Sequence, residues 1–158
     1  MLQENIATVE TQMLIRKPVS LVFQAFIDPS ITTHFWFTKS SGKLETGKTV
    51  IWSWEMYGIS TQIFVKEIEP NKKIVFEWGM PDKTTVSFDF NPLSDETTYL
   101  IIKNFGFKQT GFELIEKIKD STGGFTTVLD GLKAYLEHGI QLNLIGDKFP
   151  KEVSNHGK

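Results

Sequence analysis

Between residues 50 and 107 the chain alternates apolar and polar positions in short runs separated by turn residues. Val50, Trp52, Trp54 and Met56 alternate with Ile51, Ser53, Glu55 and Tyr57. Ile74, Phe76 and Trp78 alternate with Val75 and Glu77, and Val86, Phe88 and Phe90 with Thr85, Ser87 and Asp89. A period of two predicts strands with one face buried, so both tryptophans of the first run share a face. Residues 61–68 form another strand of blurred period, with Phe64 and Ile68 on one parity and Ile63 and Val65 on the other. Residues 97–105, or to 107, are apolar on both parities in their middle, as in a central or strongly twisted strand. Pro70-Asn71, residues 79–82, and Asn91-Pro92 with Ser94-Asp95 are turn signals. Short turns between successive strands predict an antiparallel meander.

Before this meander, residues 6–13 read as a strand that can continue through 14–16. Pro18 sits at a natural first helical position, followed by Val19, Val22, Phe23, Phe26 and Ile27 at helical spacing. Asp28-Pro29 ends that helix, because the residue before proline resists the helical conformation. Residues 29–36 make a second short helical piece that brings Phe35 and Trp36 against the body, and 40–47 read as turns or an irregular strand. After the meander the period changes. Phe125, Val128, Leu129, Leu132, Tyr135, Leu136 and Ile140 form a stripe at three- and four-residue spacing, predicting a helix over 124–138. Ser121 or Thr122 is the candidate cap and Gly139 the stop. Residues 112–118 fit either a preceding helix or a loop with apolar anchors. Only the terminal helix is long enough to cover the apolar face of the sheet, so the fold class is α+β, a curved antiparallel sheet wrapped around a long C-terminal helix.

The 158-residue chain fits one domain, taken as residues 1–145 with 146–158 as a C-terminal tail. With no cysteine, disulfides and thiolate metal sites are excluded, which fits the cytoplasm. No basic-then-apolar leader and no membrane-spanning apolar run is read, so stable membrane insertion is not expected. A net charge of -2 with mixed signs offers no broad positive field for nucleic acid. An aromatic fraction of 13% favours a packed globule.

Three segments carry a family resemblance. One is residues 18–26, from Pro18 to Phe26, with Asp28-Pro29 and Phe35-Trp36. The second runs from Val65 to Trp78 through Pro70-Asn71. The third runs from Gly124 to Glu137 and includes Phe125, Asp130-Gly131 and Tyr135. In order and spacing the chain resembles the START-like helix-grip superfamily, and within it the group named after the activator of the Hsp90 ATPase. The resemblance implies about six antiparallel strands gripping one helix, two short helices after the first strand, and often an apolar cavity between sheet and helix. Members of the superfamily bind lipids, sterols, hormones or polyketides, and some cyclise or dehydrate aromatic precursors. Chaperone activation is not carried over, because in the eukaryotic cochaperone such a domain accompanies a separate chaperone-binding domain.

The expected function is therefore binding of an apolar or aromatic small molecule or lipid. A cyclase- or dehydratase-like enzyme using the same cavity, and an interaction module with a closed cavity, are the alternatives. The candidate ligand-contacting residues on the strands are Trp52, Trp54, Met56, Phe76, Trp78, Phe88 and Phe90. His34 and Trp36 stand at the expected entrance, and Phe125, Leu129 and Leu132 on the helix. Of Lys103 and Asn104, one must face inward; Asn104 is the candidate polar contact. His34 lacks a carboxylate partner in its sequence neighbourhood, and Tyr57 and Glu55 take the parity opposite to Trp54. No nucleophile elbow, phosphate loop or HExxH spacing occurs, so no catalytic residue, metal or cofactor is assigned. The glycine- and phenylalanine-rich stretch 106–124 is a candidate lid. The oligomeric state is left open.

Overall fold

The computed structural model describes residues 7–156. Seven strands form one antiparallel sheet: β1 (Thr8–Ile15), β2 (Lys39–Ser40), β3 (Thr49–Trp54), β4 (Ile59–Glu69), β5 (Lys73–Trp78), β6 (Thr84–Ser94) and β7 (Thr97–Phe105). Their spatial order is β1-β7-β6-β5-β4-β3-β2. Two short helices, α1 (Val19–Ile27) and α2 (Pro29–Thr32), follow β1, and α3 (Gly111–His138) and α4 (Leu144–Lys148) follow the meander. This is the helix-grip arrangement, with one strand more than expected. The extra one is the two-residue β2, which pairs Lys39 with Ser53 and Ser40 with Trp52 at the sheet edge. Ile6, the expected start of the first strand, lies outside the described residues.

Local chemistry explains where the elements end. Pro18 precedes α1 instead of opening it, and its carbonyl accepts from Leu21 and Val22. Asp28 stays extended (φ -98°), terminates α1 and caps α2 by accepting from the Ser30 N–H at 3.0 Å. Those bonds, backbone first and then the Ser30 hydroxyl, outweigh slight burial and hold the Asp28 carboxyl below the ordinary carboxylate range. β3 stops at Trp54, two residues early, because Glu55–Tyr57 winds into a 3-10 turn closed by Gly58 at φ 63°. The blurred period of β4 comes from a bulge between Val65 and Glu67: Ile63 and Val65 face inward, and the bulge returns Ile68 to the core side. β6 runs through Asn91-Pro92 instead of turning there, with a register shift between Pro92 and Ser94 absorbing the proline.

α3, at 28 residues, is nearly twice the predicted helix. Residues 112–118 are helical and continuous with the rest, so a lid built on 106–124 is replaced by helix from Gly111 onward. Ser121 and Thr122 lie inside it and do not cap it; Thr122 donates to the Ile118 carbonyl one turn back. Gly139 ends it in the left-handed region at φ 66°, as expected. At about 1.5 Å per residue such a helix is roughly 42 Å long, longer than the sheet it crosses. Its C-terminal half buries Phe125, Val128, Leu129, Gly131 and Leu132, while Phe112 and Ile115 in the N-terminal half stand in solvent. The Glu137 carboxylate clamps the buried half to the end of β1. It accepts from the Arg16 N–H at 2.6 Å and from the Lys133 ammonium at 2.7 Å, and that ammonium also donates to the Leu14 carbonyl at 2.7 Å.

Candidate functional site

The concave face of the sheet is divided into a filled half and an open half. In the filled half Trp52, Phe76, Phe88 and Phe90 are at most 3% exposed, and Leu129 and Leu132 meet them from the helix at 1% and 0%. The rings pack mostly edge to face, with centroids 5.4 Å apart for Trp52 and Phe76 and 5.3 Å for Phe23 and Phe90; Phe37 instead stacks on Trp52 at 4.4 Å. These six candidates are core residues. They build the wall behind the site and leave its lining to others.

The open half is a cavity of about 840 Å³ between the ends of β3, β5, β6 and β7, the middle of α3, and α4. Its floor is aromatic. Trp36, Trp78 and Phe125 form a triangle with centroid separations of 6.1, 5.9 and 5.7 Å, joined by Trp54 and Val128. Trp36 also packs at 4.9 Å against Trp52, so floor and core share one layer of rings. The mouth is mixed: Ile59, Met80 and Pro81 on the sheet side, Lys117 and Asp120 on α3, Lys148 and Phe149 at the end of α4.

Of the predicted contacts, Trp36, Trp54, Trp78, Asn104 and Phe125 line this cavity. Asn104 does face inward, 3% exposed, but its amide is fully engaged. The NH₂ donates to Thr84 Oγ1 and the Thr85 carbonyl, both at 2.9 Å, and the oxygen accepts from Ser121 Oγ at 2.8 Å. It thus ties β7, β6 and α3 together, a buried polar group with both N–H donors and its oxygen bonded. His34 and Met56 lie elsewhere, in a smaller depression of about 140 Å³. There His34 stacks on Tyr135 at 4.6 Å and its Nδ1 is 3.0 Å from Gln141 Oε1. Met56 left the concave face when β3 gave way to the 3-10 turn.

The same turn brings in a residue that strand parity had sent to solvent. Tyr57 lines the cavity, donates its phenol O–H to the Ile145 carbonyl and accepts from the Phe149 N–H at 3.3 Å. Lys148 and Phe149, next to Ile145, carry the site past residue 145. No periodic stripe marks them, because a five-residue helix is too short to show one. The signal that was present is Gly123-Gly124. Both glycines line the cavity from within α3, and a Cβ placed on Gly124 meets no atom within 4 Å. Side chains are omitted where the space is.

Among the described residues no group of three or more His, Asp or Glu side chains could hold a metal ion. The two carboxylates with displaced pKa values, Asp28 and Glu137, hold helix ends outside the cavity. No helix of the described residues is long and apolar enough to cross a membrane. The arrangement is a ligand-sized cavity with an aromatic floor.

A helix gripped by an antiparallel sheet, with a ring-floored cavity between them, places the chain among the START-like helix-grip proteins. The profile of the family Activator of Hsp90 ATPase homolog 1-like protein matches residues 16–137, and the chain belongs to that family. A search of the curated proteins finds no match. Among solved structures the protein SSP2350 from Staphylococcus saprophyticus is similar at 29% identity, with a TM-score of 0.75 over 86% of this chain and 96% of that one. The Aha1 dimer from Colwellia psychrerythraea is similar at 19% identity, with a TM-score of 0.72 over 85% of this chain and 98% of that one. PFC0360w, an HSP90 activator from Plasmodium falciparum, is similar at 20% identity, with a TM-score of 0.63 over 80% of this chain and 94% of that one. The last two likenesses concern the fold.

Proposed function

We propose that the protein binds an apolar, ring-bearing small molecule in the cavity between the sheet and α3. The observation that carries this reading is the aromatic floor of Trp36, Trp54, Trp78 and Phe125 beneath about 840 Å³ of open space. That volume lies within the roughly 300–1,000 Å³ range of small-molecule sites. Binding is favoured over acid–base catalysis because the inner polar groups serve the protein itself. Asn104, Ser121 and Thr84 bond one another, and the Tyr57 phenol is held by backbone groups of Ile145 and Phe149. The open space between the rings and α3 favours this reading over an interaction module with a closed cavity.

Native mass spectrometry of freshly purified protein, followed by titration with a panel of lipids and aromatic metabolites, tests the proposal. The expected result is a one-to-one complex that quenches or shifts the fluorescence of the floor tryptophans. A protein that retains nothing and binds no member of the panel would overturn it.

A further inference from the structure

The cavity has an apolar floor and a charged mouth, and one charge at that mouth is held in place without being neutralised. Lys148, the last residue of α4, donates to the Gly123 carbonyl and to Thr127 Oγ1, each at 3.0 Å. Both acceptors are uncharged, and among the described residues Lys148 forms no ion pair. An ammonium has three donor hydrogens, so two bonds leave one to point elsewhere. The contact is close: a Cβ on Gly123 would come within 3.3 Å of Nζ, so the glycine admits the lysine head at the cavity rim. Lys117 stands on the same rim without an ion pair, whereas Lys119 is matched by Glu116 at 3.4 Å. Asp82 and Asp120 also line the mouth, from the turn before β6 and from α3, and neither reaches Lys148. A flexible lysine costs side-chain entropy to immobilise, yet here two neutral acceptors aim it at the entrance.

Resting on the binding reading above, we infer that the ligand is an anionic amphiphile. Its apolar, ring-bearing body sits on Trp36, Trp54, Trp78 and Phe125, and its single carboxylate- or sulfonate-type head meets Lys148 at the rim. A charge-assisted bond to a head group at the water boundary orients the molecule, while ring contact supplies the burial.

A matched pair of probes separates this inference from the binding reading. Anilinonaphthalenesulfonate and N-phenylnaphthylamine share a ring body, and only the first carries a negative charge. Fluorescence titration at low salt is expected to show the sulfonate bound about tenfold more tightly, with the preference shrinking as ionic strength rises. Lys148→Met should remove that preference by weakening the sulfonate far more than the neutral probe, and Lys148→Arg should keep it. Gly124→Leu, which puts a branched side chain into the cavity, should weaken both. Equal affinity of the native protein for the two probes would overturn the anionic assignment while leaving the cavity reading intact. So would parallel weakening of both by Lys148→Met, which would make Lys148 a tether for α4 only. Sulfonate binding undiminished by Gly124→Leu would place the head-group contact outside the cavity and overturn it as well. Failure of both probes to bind would count against the cavity reading itself.

Discussion

Replacing glycines along α3 should separate stability from binding, because two of them face opposite surroundings on one helix. At Gly124 a Cβ meets nothing within 4 Å. Alanine there gains helix propensity and encounters no neighbour, so Gly124→Ala should stabilise the protein by about 0.5–1 kcal/mol. For a chain of this size that raises Tm by about 1–4 °C. Leucine is nearly as good a helix former as alanine, so Gly124→Leu should keep most of the gain while pushing its side chain into the cavity and weakening ligand binding. Gly131 is the opposite case. Its Cβ would come within 3.3 Å of Phe35 Cβ and 3.4 Å of the Phe35 carbonyl, where α3 crosses the chain after α2. Backbone cannot retreat as a flexible side-chain tip can, so Gly131→Ala should destabilise by about 1–3 kcal/mol despite the same propensity gain. Urea melts followed by circular dichroism give the stabilities, and fluorescence titration with a ring-bearing probe gives the binding. Gly124→Ala that destabilises, or Gly124→Leu that binds as well as the native chain, would refute the placement of open space beside Gly124.

Three further outcomes test the division of the interior. Trp52→Ala removes a ring that is 2% exposed and should cost about 3–5 kcal/mol. Trp54→Ala, at the half-buried end of the same strand, should cost less than half as much and weaken ligand binding, as read by paired denaturation and titration. The Thr11 hydroxyl is buried and has no hydrogen-bond partner among the described residues. Thr11→Val should therefore raise stability by about 1 kcal/mol in a urea melt, and a loss would mean that the hydroxyl is satisfied in solution. At Glu137, burial pushes the carboxyl up. The bonds from Lys133 and the Arg16 N–H, with the charges of Lys133 and His138, outweigh it and hold the group below the ordinary carboxylate range. A depressed folded-state pKa gives stability that is complete above the unfolded value and fades as pH falls through the folded one. Melting temperatures of the native chain and Glu137→Gln should accordingly differ at neutral pH and converge in acid; a gap that persists in acid contradicts the clamp.

How far the site could be read from sequence comes down to depth against direction. Alternation placed Trp52 and Trp54 on one face, and β3 is regular up to Trp54, so both do point inward. Two residues along a strand are about 7 Å apart, however, and that distance separates the packed layer under Trp36 from the open end beyond it. Parity has no coordinate along the strand axis, so it grouped Trp52, Phe76 and Phe88 with Trp54 and Trp78 as equal candidates. Parity also fails wherever a strand stops being a strand. The 3-10 turn at Glu55–Tyr57 exchanged Met56 for Tyr57 in the cavity, and the bulge after Val65 changed sides in β4. The length of α3 was hidden for a different reason. A glycine pair reads as a poor helix interior, yet at about 1 kcal/mol each relative to alanine the cost is small beside the burial of Phe125, Val128, Leu129 and Leu132. What that cost secures is room, at Gly124 within the cavity and at Gly123 for the Lys148 head. Apolar periodicity records what a chain buries. The space it leaves open is written in the residues that break the pattern without breaking the helix.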